Sequence, residues 1–487
     1  MADKDELSRL LECTLNKGDF AAYGDSEDRR GTGSRVSNLR RLSGGASMET
    51  WAFSWGGDEV ESLIVRCRPT EANSHSDTAG GIEMGQISLE MEAQLLAVLR
   101  DHGVRVPRHV CDLPLNNDLV IGYVMSQESG EALPTKILRD PRFATARETL
   151  AYKCGQELAK IHSVPNAALP PGLEDISIGQ RLDKFQEMSD RFGNVSPVHQ
   201  LAINWLRENQ PESAARCLLH GDFRNGNLLV DETGLSSILD WELAHIGHPE
   251  EDLGYLCSNV WRFGVPNRPV GGFGDYQQLL AGYQEVAGWA PNLKTLKYWE
   301  LFAALSWGMV CLLMEDVYHS GVDRSFERLA IGRRLSESEV DILLLLDKLQ
   351  GYQTVPASED PNTTDDAFQA ARPTSLIEGV AEYLKNELVP QLDAYSAYTT
   401  RVAINSLKIA ARDVQSLGQL THLDELIAEH LGLAYENNPT ASVCHHMRTS
   451  NDYSDSELIG LLKRRTLIAM QVDNPKYWGY LEAKRKW

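Results

Sequence analysis

The sequence has no CxxC pair and no Cys/His spacing of the zinc-binding kind. Its eight cysteines therefore read as free thiols of a reducing compartment, not as a disulfide or metal framework. The chain begins MADKDELSRLLE, which is charged and lacks the apolar core of a secretory signal. No apolar run reaches the ~20 residues of a bilayer span. The most apolar stretch, Leu301–Met314, is broken by Ser306 and Gly308 and is expected to be a buried helix. A basic surplus is also missing: 47 Lys and Arg stand against 69 Asp and Glu, a net charge of −22. That excludes a broad basic surface for nucleic acid. No repeat period is visible. What these absences leave is a cytoplasmic protein with neither nucleic acid nor membrane as partner. Its 42% apolar and 24% charged residues are ordinary for a globular chain, and 487 residues are too many for one core, so two or three domains are expected.

Residues 1–36 read as an N-terminal extension, helical and then loop-like. Short β-type runs follow at Thr50–Trp55, Ser62–Arg66, His109–Leu113 and Leu119–Met125, flanked by glycine-rich turns. Between the second and third lies a helical pattern, Ile87–His102. After Gly130 helices dominate: Ala144–His162, two within Ile178–Asn209, and more from Glu250. Two short strands, Leu228–Val230 and Ser237–Leu239, flank a turn at Thr233–Gly234. A strand-rich lobe (37–127) followed by a helical lobe (128–349) is an α+β arrangement. Gln350–Ala371 contains no Lys or Arg but several Pro, Ser, Thr and acidic residues, so 350–372 reads as a solvated linker. Residues 373–487 are expected to form a separate small all-α domain. Ser375-x-x-Glu378 and Ser454-x-x-Glu457 have the form of capping boxes, and helices are expected near 394–413 and 420–432.

One motif carries chemistry. His220-Gly-Asp222-Phe-Arg224-Asn-Gly-Asn227 is followed by a strand, a turn, a second strand and then Asp240-Trp241-Glu242. Phosphoryl transfer asks a protein to orient the nucleophile and neutralise the triphosphate. Asp222 can accept or orient the proton of an attacking hydroxyl. Asn227 and Asp240 supply the hard oxygen donors that magnesium prefers. Arg224 is spaced to grip a phosphate bidentately. Asp and Asn also form turns and caps, and an isolated DxxxxN would mean little. The weight lies in the His-Gly lead, the LLV strand and the LDWE continuation occurring together, in one order.

HGDFRNGNLLV and ILDWELAHIGHPEEDLGYL resemble the aminoglycoside phosphotransferase / choline kinase-like family, nearest the branch that includes kinase domains fused to some acyl-CoA dehydrogenases. The resemblance covers roughly residues 35–345. It implies a protein-kinase-like bilobal fold and transfer of the γ-phosphate of ATP, with GTP as the alternative, to a hydroxyl of a small molecule. It further implies Asp222 as catalytic base, Asn227 and Asp240 as magnesium ligands, Arg224 as a phosphate contact, and Asp252 as a structural brace of the catalytic loop. Ser43, Gly44, Gly45 and Ser47 resemble the nucleotide-positioning loop, where glycines let backbone amides approach phosphate. Arg66 ends a strand where kinases usually carry Lys, paired with a helix carboxylate: Glu92 by resemblance, Glu90 as the fallback. Gly122–Glu128 resembles the strand and hinge that meet the base of the nucleotide, with Ser126 and Glu128 as contacts.

Other signals are weaker. Glu242 is open between a substrate contact and a support for the metal site. His245 and His248 read as caps, and Cys444-His445-His446 as ordinary surface residues. Trp261, Arg262 and Phe263 fit either an acceptor pocket or the core. The C-terminal region resembles a helical module of unknown function, whose plainest reading is an interaction or homo-oligomerisation domain. Arg66 in the Lys position motivates a second reading, a nucleotide-binding pseudokinase acting through that domain. The absence of an HRD-DFG-APE set argues against a protein kinase. Antibiotic, choline, hydroxyacyl-CoA and sugar acceptors all fit the same catalytic parts.

Overall fold

The computed structural model describes residues 3–17, 34–42, 48–57, 60–69, 85–114, 119–212, 215–351, 373–433, 438–450 and 454–487. It divides into two compact units, one made of 1–176, 213–256 and 267–291 and the other of 177–212, 257–266 and 292–487.

The first unit is built on an antiparallel five-stranded sheet of order β1-β2-β3-β5-β4. Its strands are β1 (Arg35–Arg41), β2 (Glu49–Gly56), β3 (Val60–Pro69), β4 (His109–Asp112) and β5 (Val120–Ser126). Alternation decides what each face carries. Leu63, Val65 and Cys67 of β3 enter a core with Trp51, Phe53 and Val124, and Arg66 stands on the opposite face. Leu7, Leu11 and Leu15 of the helix Lys4–Lys17 complete that core, so this helix is part of the unit's core and not only an extension to it. The helix Leu89–Asp101 starts at Ser88, whose hydroxyl accepts from the Met91 amide at 3.1 Å. Four shorter strands follow: β6 (Cys217–Leu219), β7 (Leu228–Asp231), β8 (Gly234–Ile238) and β9 (His245–Gly247), pairing β6 with β9 and β7 with β8.

The second unit is helical. The helix Leu293–His319 is long and apolar enough, by length and composition, to cross a bilayer, yet two thirds of its most apolar window (67%) is buried inside the protein. It is the buried helix expected around Leu301–Met314. One apolar core draws on Leu201, Trp205, Phe302, Leu305 and Leu345, and equally on Ile427, Met447, Leu458 and Leu462. The expected linker falls largely outside the described residues, and helices on both sides of it share this core.

Local details differ from the sequence reading. Ala394–His430 is one continuous helix that runs through Gly418, whose cost relative to Ala is only about 1 kcal/mol. The cap near 454 is Asp455, which accepts from the Glu457 and Leu458 amides at 3.0 Å. Ser375 lies inside the helix Pro373–Tyr383 and is not its cap.

Asp341 is buried in this unit, where Tyr477 Oη donates to it at 2.5 Å and Asn259 Nδ2 at 2.7 Å. Burial raises its carboxyl from 3.8 to about 7 despite those donors. A carboxyl raised on folding binds its proton more tightly in the native state. Its contribution is therefore complete at low pH and is lost as pH rises from about 4 to about 7. Asp341→Asn keeps an acceptor for Asn259 and offers its amide to the Tyr477 oxygen. Denaturant titrations across that window should show a flatter pH dependence in the variant, the difference approaching roughly 4 kcal/mol. Parallel pH profiles would contradict this.

Candidate active site

The hairpin β7–β8 sets the site's geometry. Buried Leu228, Val230, Leu235 and Ile238 anchor it, and Leu228 pairs with Ile238. Asn227 immediately precedes one strand and Asp240 follows the other by two residues, so antiparallel pairing brings both to the same end. The Leu239 amide donates to Asn227 O at 2.8 Å. Asp240 itself has φ +68°, a left-handed conformation that Asp tolerates better than most residues.

Asp222 meets its expected neighbours here. Its carboxylate accepts from Arg224 Nε at 3.0 and 3.1 Å, and its Oδ2 accepts from Asn227 Nδ2 at 2.6 Å. Asn227 Nδ2 also reaches Asp222 O at 3.0 Å. Both polar hydrogens of the amide thus face Asp222, and the remaining polar atom of that side chain is the hard oxygen Oδ1.

The loop ahead of Asp222 is braced from below. Asp252, fully buried, accepts from the His220 amide at 2.8 Å and the Gly221 amide at 3.0 Å, and lies 3.2 Å from His162 Nε2. Burial alone pushes this carboxyl up, but the hydrogen bonds from His162 and from the His220 amide outweigh it and hold the group below the usual carboxylate range. His220 Nδ1 accepts from the Asp222 amide at 3.1 Å, which assigns the proton to Nε2, the donor to Leu239 O at 3.0 Å. Gly221 sits at φ +81°, where a Cβ would overlap Leu243 O, so only glycine fits between His220 and Asp222.

Arg66 joins the strand-rich sheet to this loop. Its Nε lies 3.2 Å from Glu92 Oε2, and its Nη2 lies 2.7 Å from Asp240 Oδ1 and 2.8 Å from Glu242 Oε2. Burial works against the guanidinium charge, but Glu92, Asp240 and Glu242 outweigh it and hold the group charged. Three carboxylates on two sides are better met by a forked, planar cation than by the single point of a lysine. Glu92 is the partner and Glu90 is exposed. Burial raises the Glu92 carboxyl, against the pull of Arg66, the Trp241 amide and the Tyr123 hydroxyl. Tyr123 is the cross-strand neighbour of Arg66 between β3 and β5.

Ser126 and Glu128 are not drawn into this cluster by any contact among the described residues. Ser126 Oγ donates to Glu128 Oε1 at 2.6 Å and accepts from the Arg108 amide at 2.8 Å. Ser43, Gly44, Gly45 and Ser47 lie outside the described residues.

The sequence leaves the role of Glu242 open and does not single out Asn225. Glu242 also accepts from Gln86 Nε2 at 3.2 Å, and its carbonyl from the Ile87 amide at 2.8 Å. Asn225 donates to Gly271 O at 2.7 Å. The DWE adjacency was the available signal for Glu242. Arg262, in the helical unit, is committed to Glu300 at 2.6 Å.

Four carboxyl groups (Asp222, Asp240, Glu92 and Glu242) share two guanidinium groups in this cluster. The shortage of cation shows at Glu242, which burial, with Asp240 close by, raises to about 7. Among the described residues no group of three His, Cys, Asp or Glu is arranged to hold a metal alone. A magnesium ion does not need one: it is commonly held by one or two protein oxygens, substrate phosphates and water. Asn227 Oδ1 and the Asp240 carboxylate fit that mode.

The sequence profile of the Phosphotransferase enzyme family matches residues 38–289, and that of a domain of unknown function matches 390–477. Acyl-CoA dehydrogenase family member 11 from Gallus gallus is 23% identical over 390 residues, covering 72% of this chain and 45% of that protein. Family member 10 from Mus musculus is 25% identical over 283 residues, covering 54% of this chain and 26% of that protein. The chain thus spans less than half the length of these relatives. A crystal structure of a candidate aminoglycoside phosphotransferase from Ralstonia eutropha has a TM-score of 0.53 at 18% identity, over 72% of this chain and 99% of that one, a likeness in fold. The family profile covers more than half of the 487 residues, the sheet, the hairpin and the Asp222 loop among them, and the chain belongs to the Phosphotransferase enzyme family.

Proposed function

We propose that the protein transfers the γ-phosphate of ATP to a hydroxyl of a small molecule, with magnesium, in the cytoplasm. The observation that carries this reading is Asp222 held by both Arg224 and Asn227 at the end of a hairpin that presents Asp240 beside it. Asp222 orients the acceptor hydroxyl and takes its proton as the new O–P bond forms and the bond to the β-phosphate oxygen breaks, releasing ADP. Arg224, steadied through Nε, presents positive charge to the phosphoryl group. Arg66 and Glu92 fix the sheet's side of the nucleotide site, with the 43–47 loop and the Ser126–Glu128 hinge as further nucleotide contacts. Asn227 and Asp240 would hold the magnesium, which supplies neutralising charge to the triphosphate.

A pseudokinase reading is favoured by one observation, the occupation of Asp240 Oδ1 by Arg66. A metabolite-library screen for ATP-dependent gain of a phosphate separates the two. The first reading expects a phosphorylated product with the native chain and about 10²- to 10⁴-fold slower formation with Asp222→Asn. Nucleotide binding without any product across a broad library would contradict it.

A further inference from the structure

We propose that residues 373–487 are a helical subunit built onto the phosphotransferase's own helices, gripping the helix Leu335–Gln350 through a surface that does not need the connection across 352–372. The proposal stands independently of the catalytic reading.

The argument starts from the sequence of that helix, LSESEVDILLLLDKLQ. Acidic side chains ordinarily occupy a solvated face. Here Ser336, Glu337, Glu339 and Asp341 are all buried, and Val340 through Leu346 is buried without interruption. Buried polar groups require partners. Some lie earlier in the chain: Arg334 on Glu337, Asn259 on Asp341 and Ser196 on Glu339. The remainder come from the last 115 or so residues, and they run the length of the helix. Ser336 Oγ donates to Asp473 Oδ2 at 2.7 Å, Asn474 Nδ2 to Glu337 Oε1 at 2.9 Å, and Tyr477 Oη to Asp341 Oδ2 at 2.5 Å. At the far end Asp347 accepts from Lys463 Nζ at 2.6 Å and from Trp487 Nε1 at 2.7 Å.

A second contact region repeats the pattern on the helix Pro197–Glu208 and its approach. Asn204 Nδ2 donates to Met447 O at 2.5 Å, Cys444 Sγ to Asn194 O at 3.1 Å, and Arg448 pairs with Asp190. Apolar packing joins the two regions: Val340 and Leu344 meet Met470, Tyr480 and Ala483, and Trp205 and Leu345 share a core with Ile427, Met447 and Leu462. A buried apolar centre resembles an interface between permanent partners, and the polar groups buried with it are paired. The partner this surface fits is thus specific: a helix bearing the acids of 337–347, which lies between the two regions matched by the family profiles. The domain of unknown function thereby gains a role as a structural partner of the enzyme's helical part.

The test uses the full chain with a single protease recognition sequence placed within 352–372. After complete cleavage, the two fragments should co-elute on native size exclusion and melt in one transition. Separation of the fragments overturns the proposal. In the cleaved protein Asp347→Lys, which sets a cation against Lys463, should weaken association at least tenfold, and Asp347→Lys with Lys463→Asp should recover part of that loss, the Trp487 Nε1 bond remaining broken. Because the recovery needs both partners, it distinguishes a lost pairing from a misfolded fragment. Full association of the single variant, or no recovery in the double one, overturns the assignment to this helix.

Discussion

Asp222→Asn should lower turnover by about 10²- to 10⁴-fold, the usual contribution of a positioned general base, while ATP affinity stays close to that of the native chain. The substitution keeps the shape of the side chain and removes its capacity to take a proton. An amide has one acceptor oxygen where the carboxylate has two. That oxygen can remain on Asn227 Nδ2, now at 2.6 Å, but Arg224 Nε then loses the acceptor pair it holds at 3.0 and 3.1 Å. A stability loss of about 1–3 kcal/mol is the expected side effect of that mismatch. Steady-state kinetics separate the two consequences. The proposed role predicts a fall in kcat with KM for ATP little changed. Full turnover in a folded Asp222→Asn chain would remove Asp222 from the reaction.

How far the sequence led can be judged residue by residue. The strand-turn-strand around Thr233–Gly234 was readable from alternation and turn chemistry, and it alone dictates that Asn227 and Asp240 meet. Arg66 was legible as the end of a strand; a two-residue offset on a helix means that Glu90 and Glu92 cannot both face it, and the choice of Glu92 comes from the family resemblance. Glu242 and Tyr123 were not resolved. Their importance comes from the register of β3 against β5 and from a carboxyl cluster formed by residues far apart in sequence. The acids of Leu335–Gln350 show the same limit more sharply. Local pattern assigns charge to solvent, and burial is matched by partners that are mostly distant in sequence, such as Lys463 and Tyr477, more than a hundred positions away.

Asp240→Ala is the second large effect. Arg66 loses its 2.7 Å contact but retains Glu92 and Glu242, so its charge stays compensated and the sheet keeps its link to the loop. What disappears is the hard anionic oxygen that, with Asn227 Oδ1, is proposed to hold magnesium. Alteration of groups around a bound metal commonly costs about 10- to 100-fold in its affinity, and loss of a direct ligand should cost at least that much. Removal of one carboxyl also relieves Glu242 of a repulsive neighbour, so its group should titrate lower in the variant.

Calorimetric titration of ATP into the native chain and into Asp240→Ala, each with magnesium and with chelator, tests the central claim most directly. Asp222, Asn227 and Asp240 enclosing a divalent cation and a triphosphate predict tight, magnesium-dependent binding in the native chain and weak binding, indifferent to magnesium, in the variant. An Asp240→Ala chain that binds ATP with undiminished magnesium dependence would contradict it.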